Sequence, residues 1–189
     1  MKKLWIAMAL VMGLSVSGVS ADTLLSAGAT MEMTYFKNIK EFKFSEYFND
    51  VKNGYKGKSL VFGPDITLMS FPGMFFGMWL DANMVFSSKI LPENDWGMLN
   101  VTLGPGFRVP FGNIFALLFG VGLDLRTPIK SFTNVYIGAG AMAGFMVGLG
   151  PKFFINFAAN MAYDFYDFKE KKKATYLVFR PTLGAGVRL

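Results

Sequence analysis

Apolar and non-apolar positions alternate along this chain down to its last residue. From Leu177 the odd positions read Leu177, Phe179, Pro181, Leu183, Ala185, Val187 and Leu189, against Val178, Arg180, Thr182, Gly184, Gly186 and Arg188. Successive side chains of a strand point to opposite faces, so this is a two-faced β-strand. The pattern predicts eight such segments. The first covers about residues 25–35, the second 59–70 and the third 75–86. The fourth sets Leu99, Val101, Leu103, Phe107 and Val109 against Asn100, Thr102, Gly104, Gly106 and Arg108. The fifth runs from Leu117 to Arg126, the sixth from Val135 to Phe145, the seventh from Phe153 to Phe165, and the terminal strand is the eighth.

The connections alternate too. After strands two, four and six they are short: Phe71-Pro72-Gly73-Met74, Pro110-Phe111-Gly112-Asn113 and Gly148-Leu149-Gly150-Pro151. Pro and Gly preset the backbone for tight turns. After the odd-numbered strands the connections are longer or more polar, at 36–58, 87–96, 127–133 and 167–175. Short turns on one side and long loops on the other, joining strands of about ten residues, predict an all-β, eight-stranded antiparallel transmembrane up-and-down β-barrel. Pro64, Pro105 and Pro181 fall inside strands. A proline removes a ladder bond and a closed barrel has no free edge, so bulges or strand ends are expected there.

The two faces differ in size and charge. One carries large apolar side chains, and the other carries Gly, Ala, Thr, Asn and nearly every charge on a strand. An eight-stranded barrel has an interior just wide enough for side chains to fill. The small and charged face is therefore expected inside and the large apolar face toward lipid. The interior charge network would be Glu32, Asp65, Asp81, Asp124 and Asp164 with Arg108, Arg126, Arg180 and Arg188. Near-balance of sign predicts paired charges, because an unpaired buried charge is very costly. Aromatics gather near strand ends, among them Phe71, Phe75, Phe111, Phe115, Tyr163, Phe165 and Tyr176, and suggest girdles at the two membrane interfaces.

The N-terminus sets the compartment. Lys2 and Lys3 precede an apolar run over 4–14, and Val19-Ser20-Ala21 forms a small-residue cleavage site. Residues 1–21 thus read as a cleaved signal peptide and 22–189 as the barrel. The formal net charge is +6, and two of those charges leave with Lys2 and Lys3. So small an excess is no nucleic-acid signature.

Much chemistry is excluded by composition. The chain has no His and no Cys. That removes disulfides, thiolate metal sites, the usual general base and every Ser-His or Cys-His nucleophile. No catalytic, metal or cofactor residues are assigned, and the expectation is a non-enzyme. The Gly pairs, such as Gly138 and Gly140, complete no phosphate-loop motif. The first long loop carries Lys40, Phe42, Lys43, Phe44, Tyr47, Lys52, Tyr55 and Lys56, and the fourth carries Lys169, Lys171, Lys172 and Lys173. In a closed barrel these loops are neighbours, and together they would make a basic, aromatic contact surface for an anionic glycan or a host ligand.

With leader, strand count, turn asymmetry and terminal strand in view, the mature chain resembles the small bacterial outer-membrane barrels, the class of the OmpA barrel domain, OmpX and OmpW. The resemblance implies an integral outer-membrane protein in contact with lipid, assembled through its C-terminal strand by the barrel-assembly machinery. Members of that class commonly end in an aromatic residue, whereas this chain ends in Leu189. The implied roles are structural, surface contact through the long loops, or a narrow porin-like channel for small solutes. Two other readings remain at this stage. One is a helical membrane protein, for which 135–150 is apolar enough, although Asp124 and Arg126 interrupt a neighbouring run. The other is a soluble lipocalin-like barrel with the faces reversed.

Overall fold

The computed structural model describes residues 22–35, 58–86, 97–129, 134–169 and 171–189. They form eight strands: β1 (Asp22–Tyr35), β2 (Lys58–Phe71), β3 (Phe76–Phe86), β4 (Gly97–Phe111), β5 (Phe115–Pro128), β6 (Tyr136–Gly148), β7 (Phe153–Asp167) and β8 (Lys172–Arg188). Each pairs antiparallel with its sequence neighbour, and β1 pairs with β8, so the sheet closes in the order β1 to β8. This is an up-and-down barrel. Among the described residues no helix is long and apolar enough to cross a membrane, and the run 135–150 is a strand and its turn. Most strands exceed their expected spans by a few residues, most usefully at β1, which begins at Asp22 rather than near Leu25, whereas β3 starts one residue late at Phe76.

The alternation assigns the faces. Phe62 (59% exposed), Ile66 (55%), Val121 (53%) and Leu123 (50%) project outward, while Asp65, Thr67, Asp124 and Arg126 between them are buried. Every strand repeats this, so the reversed, lipocalin-like arrangement is ruled out. A continuous outer belt of large apolar side chains is unstable in water and matched to hydrocarbon.

The three strand prolines behave differently from expectation. None sits in a bulge or ends a strand. Pro64 pairs with Ala29 on β1, and the β2–β3 ladder steps from Phe62↔Phe86 to Asp65↔Asn83 in an unchanged register. Pro105 pairs with Met78 on β3, and the β4–β5 ladder steps from Leu103↔Leu123 to Gly106↔Gly120. Pro181 pairs with Ala159 on β7, and the seam skips from Thr30↔Thr182 to Met33↔Phe179. Each proline thus interrupts one ladder only, on the side where its missing N–H would have donated. At two of the three a glycine precedes it and lets the strands stay close. A Cβ on Gly63 would lie 1.6 Å from the Met84 carbonyl oxygen, and one on Gly104 would lie 1.9 Å from that of Val121. At the third, the Thr30 hydroxyl donates to the Pro181 carbonyl at 3.3 Å across the seam.

The true bulge is elsewhere. Ile137 pairs with Tyr166 and Gly138 with Asp164, which leaves Phe165 as an extra residue. The extra residue inverts the phase of β7. Asp164 and Asp167, three apart, are both buried, while Phe165 is 45% exposed.

The interior is layered, and here the expectation of small residues throughout is corrected. The short-turn half of the lumen is filled by Leu24, Met69, Phe71, Trp79, Leu118, Met142, Met146 and Phe154. Phe71 therefore belongs to the plug and not to an interface girdle. The bulk fits because glycines lie opposite it. The Trp79 ring packs on Gly120, where a Cβ would approach Trp79 Cε3 to 2.5 Å. Above this plug lies a polar and ionic layer. Toward the long loops Val61, Val85 and Met98 form a small apolar cap, with Tyr136 packed against it.

Candidate functional site: a braced lumen beneath a loop-side rim

The polar layer is built from inward-phase residues of every strand but β6, which presents only Gly138 and Gly140 at this height, and its bonds cross the barrel. Arg126 on β5 reaches Glu32 on β1, four strands away, with Nη2–Oε1 at 2.8 Å, and Asp164 on β7 with Nη1–Oδ2 at 2.6 Å. Its Nε donates to Asn100 Oδ1 at 3.1 Å, and Asn100 Nδ2 donates to Glu32 Oε2 at 2.8 Å. Arg180 on β8 is fully buried and pairs with Asp124 on β5. Its Nη2 also donates to the Thr102 hydroxyl on the facing strand β4 at 3.4 Å.

Asp65 and Asp81 take their hydrogen bonds from hydroxyl and amide donors. The Thr67 hydroxyl bridges them, at 3.1 Å from Asp65 Oδ1 and 3.4 Å from Asp81 Oδ2. Asn83 Nδ2 donates to Asp81 at 2.9 Å, and Asn160 Nδ2, from directly across the barrel on β7, does so at 3.0 Å. The amides and hydroxyls of Thr67, Asn83, Asn100, Thr102 and Asn160 are members that a charge count alone passes over. Their inward phase was the signal that could have found them.

Arg108 and Arg188 lie apart from this layer. Both reach Asp22 at the short-turn end: Arg108 from β4 across the lumen, and Arg188 through Nε at 3.2 Å. Arg108 also covers the Phe71 ring, its Cζ 4.7 Å from the centroid. Asp22 is the acid missing from the sequence-derived set. It shares the even phase of Glu32, and the alternation extended back three residues would have included it.

These contacts fill the middle of the lumen. Between plug and ionic layer a cavity bounded by Met69, Leu118 and Phe154 below and by Ser26, Thr67 and Asn156 above measures about 10 Å³, roughly the space of one water. Among the described residues no cluster of three or more His, Cys, Asp or Glu side chains could hold a metal ion.

At the loop end, Lys169 and Lys171 are exposed. Lys171 has φ of 50° in the turn into β8, and the turn is fastened by the Lys169 N–H donating to Asp167 Oδ1 at 2.9 Å. Lys172 and Lys173 open β8, paired with Asp167 and Tyr166. Tyr136 and Tyr176 meet edge to face, centroids 5.4 Å apart, and Asn134 Nδ2 donates to the Tyr136 hydroxyl at 2.9 Å. Lys40, Phe42, Lys43, Phe44, Tyr47, Lys52, Tyr55 and Lys56 lie outside the described residues.

No protein-family model matches the chain, and no curated protein sequence does. Solved structures do. The chain resembles Neisserial surface protein A at 13% identity with a TM-score of 0.65, covering 88% of this chain and 97% of that one. It resembles Ail, the attachment invasion locus protein of Yersinia pestis, in a crystal structure with the heparin analogue sucrose octasulfate, at 16% identity and a TM-score of 0.51, covering 90% and 100%. It also resembles the outer membrane protein OprG of Pseudomonas aeruginosa at 13% identity and a TM-score of 0.53, covering 91% and 98%. At such identities the likeness is one of fold, and the fold is that of the small integral barrels of bacterial outer membranes.

Proposed function

We propose that this chain is an integral outer-membrane barrel, the mature form of a protein whose residues 1–21 direct export, and that it serves as a sealed, non-enzymatic platform for surface contact. The observation that carries the reading is the cross-braced lumen. Arg126–Glu32, Arg180–Asp124 and Asn160–Asp81 span the barrel in one layer, and an apolar plug lies beneath them. A wall this well filled has its variable chemistry at its ends. The long-loop end carries the basic residues, Lys169 and Lys171 among them. A chain with no His offers little for catalysis there.

The contact surface combines the first and fourth long loops, and its partner is anionic. Lys40, Lys43, Lys52, Lys56, Lys169, Lys171, Lys172 and Lys173 supply charge, and Phe42, Phe44, Tyr47 and Tyr55 supply apolar and aromatic contact. The sulfated ligand in the Ail structure supports an anionic glycan as the class. Such binding is screened over about 8 Å at physiological ionic strength, so it weakens as salt is added. The test pairs two measurements on the refolded barrel: heparin binding before and after deletion of residues 41–56, and conductance in planar bilayers. Salt-sensitive binding lost on deletion, with silent bilayers, is the expected result. A steady single-channel conductance with no binding in either form would replace this reading by the narrow channel for small solutes.

A further inference from the structure

The two ends of the barrel are chemically unlike, and the short-turn end is the unusual one. The tips of its three turns are apolar and bare. Met74 is 61% exposed, Ile114 66% and Leu149 58%, and the terminal Leu189 is 70% exposed. Over 72–75, 112–114 and 149–152 the one charged residue is Lys152. Pro72-Gly73, Gly112-Asn113 and Gly150-Pro151 already supply the turn geometry, so the exposed Met74, Ile114 and Leu149 serve no need of the backbone.

The belt above these tips is unusual in the same direction. Phe76, Phe107, Phe111, Phe115, Phe145 and Phe153 ring the short-turn half on the outer face, and neighbours touch, with Phe76–Phe107 centroids at 5.3 Å and Phe111–Phe115 at 5.8 Å. All are Phe. Every one of the seven Tyr in the chain lies in the loop-side half of a strand or in a long loop, and none is at the short-turn end. Tyr and Trp mark a membrane–water interface because one end of the ring is polar. Phe has no such end and belongs in hydrocarbon.

Length agrees. A strand tilted about 40° climbs ~2.6 Å per residue, so the 14 residues of β2 or β5 rise ~36 Å, against an apolar band of ~25 Å in such barrels. The apolar outer face continues from mid-strand to the turns on β3 to β8, and on β1 and β2 it is interrupted by the half-buried pair Thr23 and Ser70.

We propose that the short-turn rim is a lipid-immersed surface. Met74, Ile114 and Leu149 rest in the leaflet on that side of the membrane, the Phe ring lies within its acyl chains, and Lys152 reaches its phosphates. The proposal rests on the membrane reading above. The occupant is lipid because the tips continue an outer face already matched to acyl chains. A docked protein would need its own apolar surface there.

The cysteine-free chain permits single labels without background. M74C, I114C and L149C, with V121C in the mid-belt and K169C at the loop end as references, are labelled with an environment-sensitive fluorophore after folding. Each is placed as one barrel per nanodisc in phosphatidylcholine, with or without bromine on the upper acyl chain. The expected result is blue-shifted emission at all three tips and bromine quenching close to that at position 121, with position 169 unquenched. Tips that behave like position 169 while position 121 is quenched overturn the proposal and leave the membrane barrel standing. No quenching at position 121 overturns the membrane reading itself. Tips protected only when two barrels share a disc overturn the proposal in favour of a second copy of the chain.

Discussion

The lumen holds two fillings of opposite kind on one set of strands. In the short-turn half, Trp79 packs on Gly106 and Gly120, Phe71 on Gly77 and Phe154 on Gly186, and together with Leu118 they exclude water by volume. In the middle, Arg126, Arg180, Glu32, Asp124 and Asp164 fill similar space with charge, and their attraction must offset the cost of removing them from water. The first filling is non-directional and tolerates exchange of one apolar shape for another. The second fixes partners, because a charge that loses its partner stays buried. The apolar plug therefore tolerates exchange of shape, whereas the ionic layer depends on the partners that closure brings opposite each other.

Substitutions can break that comparison, beginning with the largest effect. Arg180→Glu places a second carboxylate against Asp124 with no water to screen it. No heat-modifiable folded band is expected on gels of the detergent-refolded protein. Arg180→Met keeps the volume and strands Asp124, a loss of about 3–5 kcal/mol in urea unfolding. Adding Asp124→Leu should recover most of that loss, because a buried pair replaced by packed apolar groups is often neutral. A double variant no better than Arg180→Met would show that the layer acts as a network rather than as pairs.

Trp79→Ala tests the other half. It should cost about 3–5 kcal/mol by removing the largest plug residue, yet leave planar bilayers silent, since the ionic braces still cross the lumen. Conductance in Trp79→Ala would identify the plug as the seal. Gly120→Ala pushes a methyl into the Trp79 ring and should cost about 1–3 kcal/mol, an effect that Trp79→Leu in the same chain should relieve. At the small end, Arg108→Met loses a partly solvated pair with Asp22 and a cation–π contact, worth about 1 kcal/mol. Lys169→Glu, exposed beside the rim, should shift stability by less than about 0.5 kcal/mol while weakening binding to heparin.

Much of this was legible in the chain. Strand number, the alternation of short turns and long loops, and the outward face of each strand follow from period-two patterning, which each strand carries by itself. The layering was also written at particular positions. Met69, Trp79, Met142 and Phe154 occupy the inward phase, but the weight of Gly and Asp on that face suggested small residues throughout. Asp22 was hidden at the first residue of β1, where the alternation is easiest to truncate.

Three things were decided only by the closed barrel. Which carboxylate meets which arginine depends on stagger and height across four strands, and no local pattern records that. Pro64 and Pro105 remain in register because Gly63 and Gly104 bring the neighbouring backbone close, and Pro181 because Thr30 reaches across the seam. Each solution involves the adjoining strand. The phase of Asp167 is set by the bulge at Phe165, where one extra residue against β6 turns a position that reads as outward into a buried one. The sequence by itself determined the faces, because periodicity is local. Tertiary structure decided the partners, because closure brings together residues that no single strand can place.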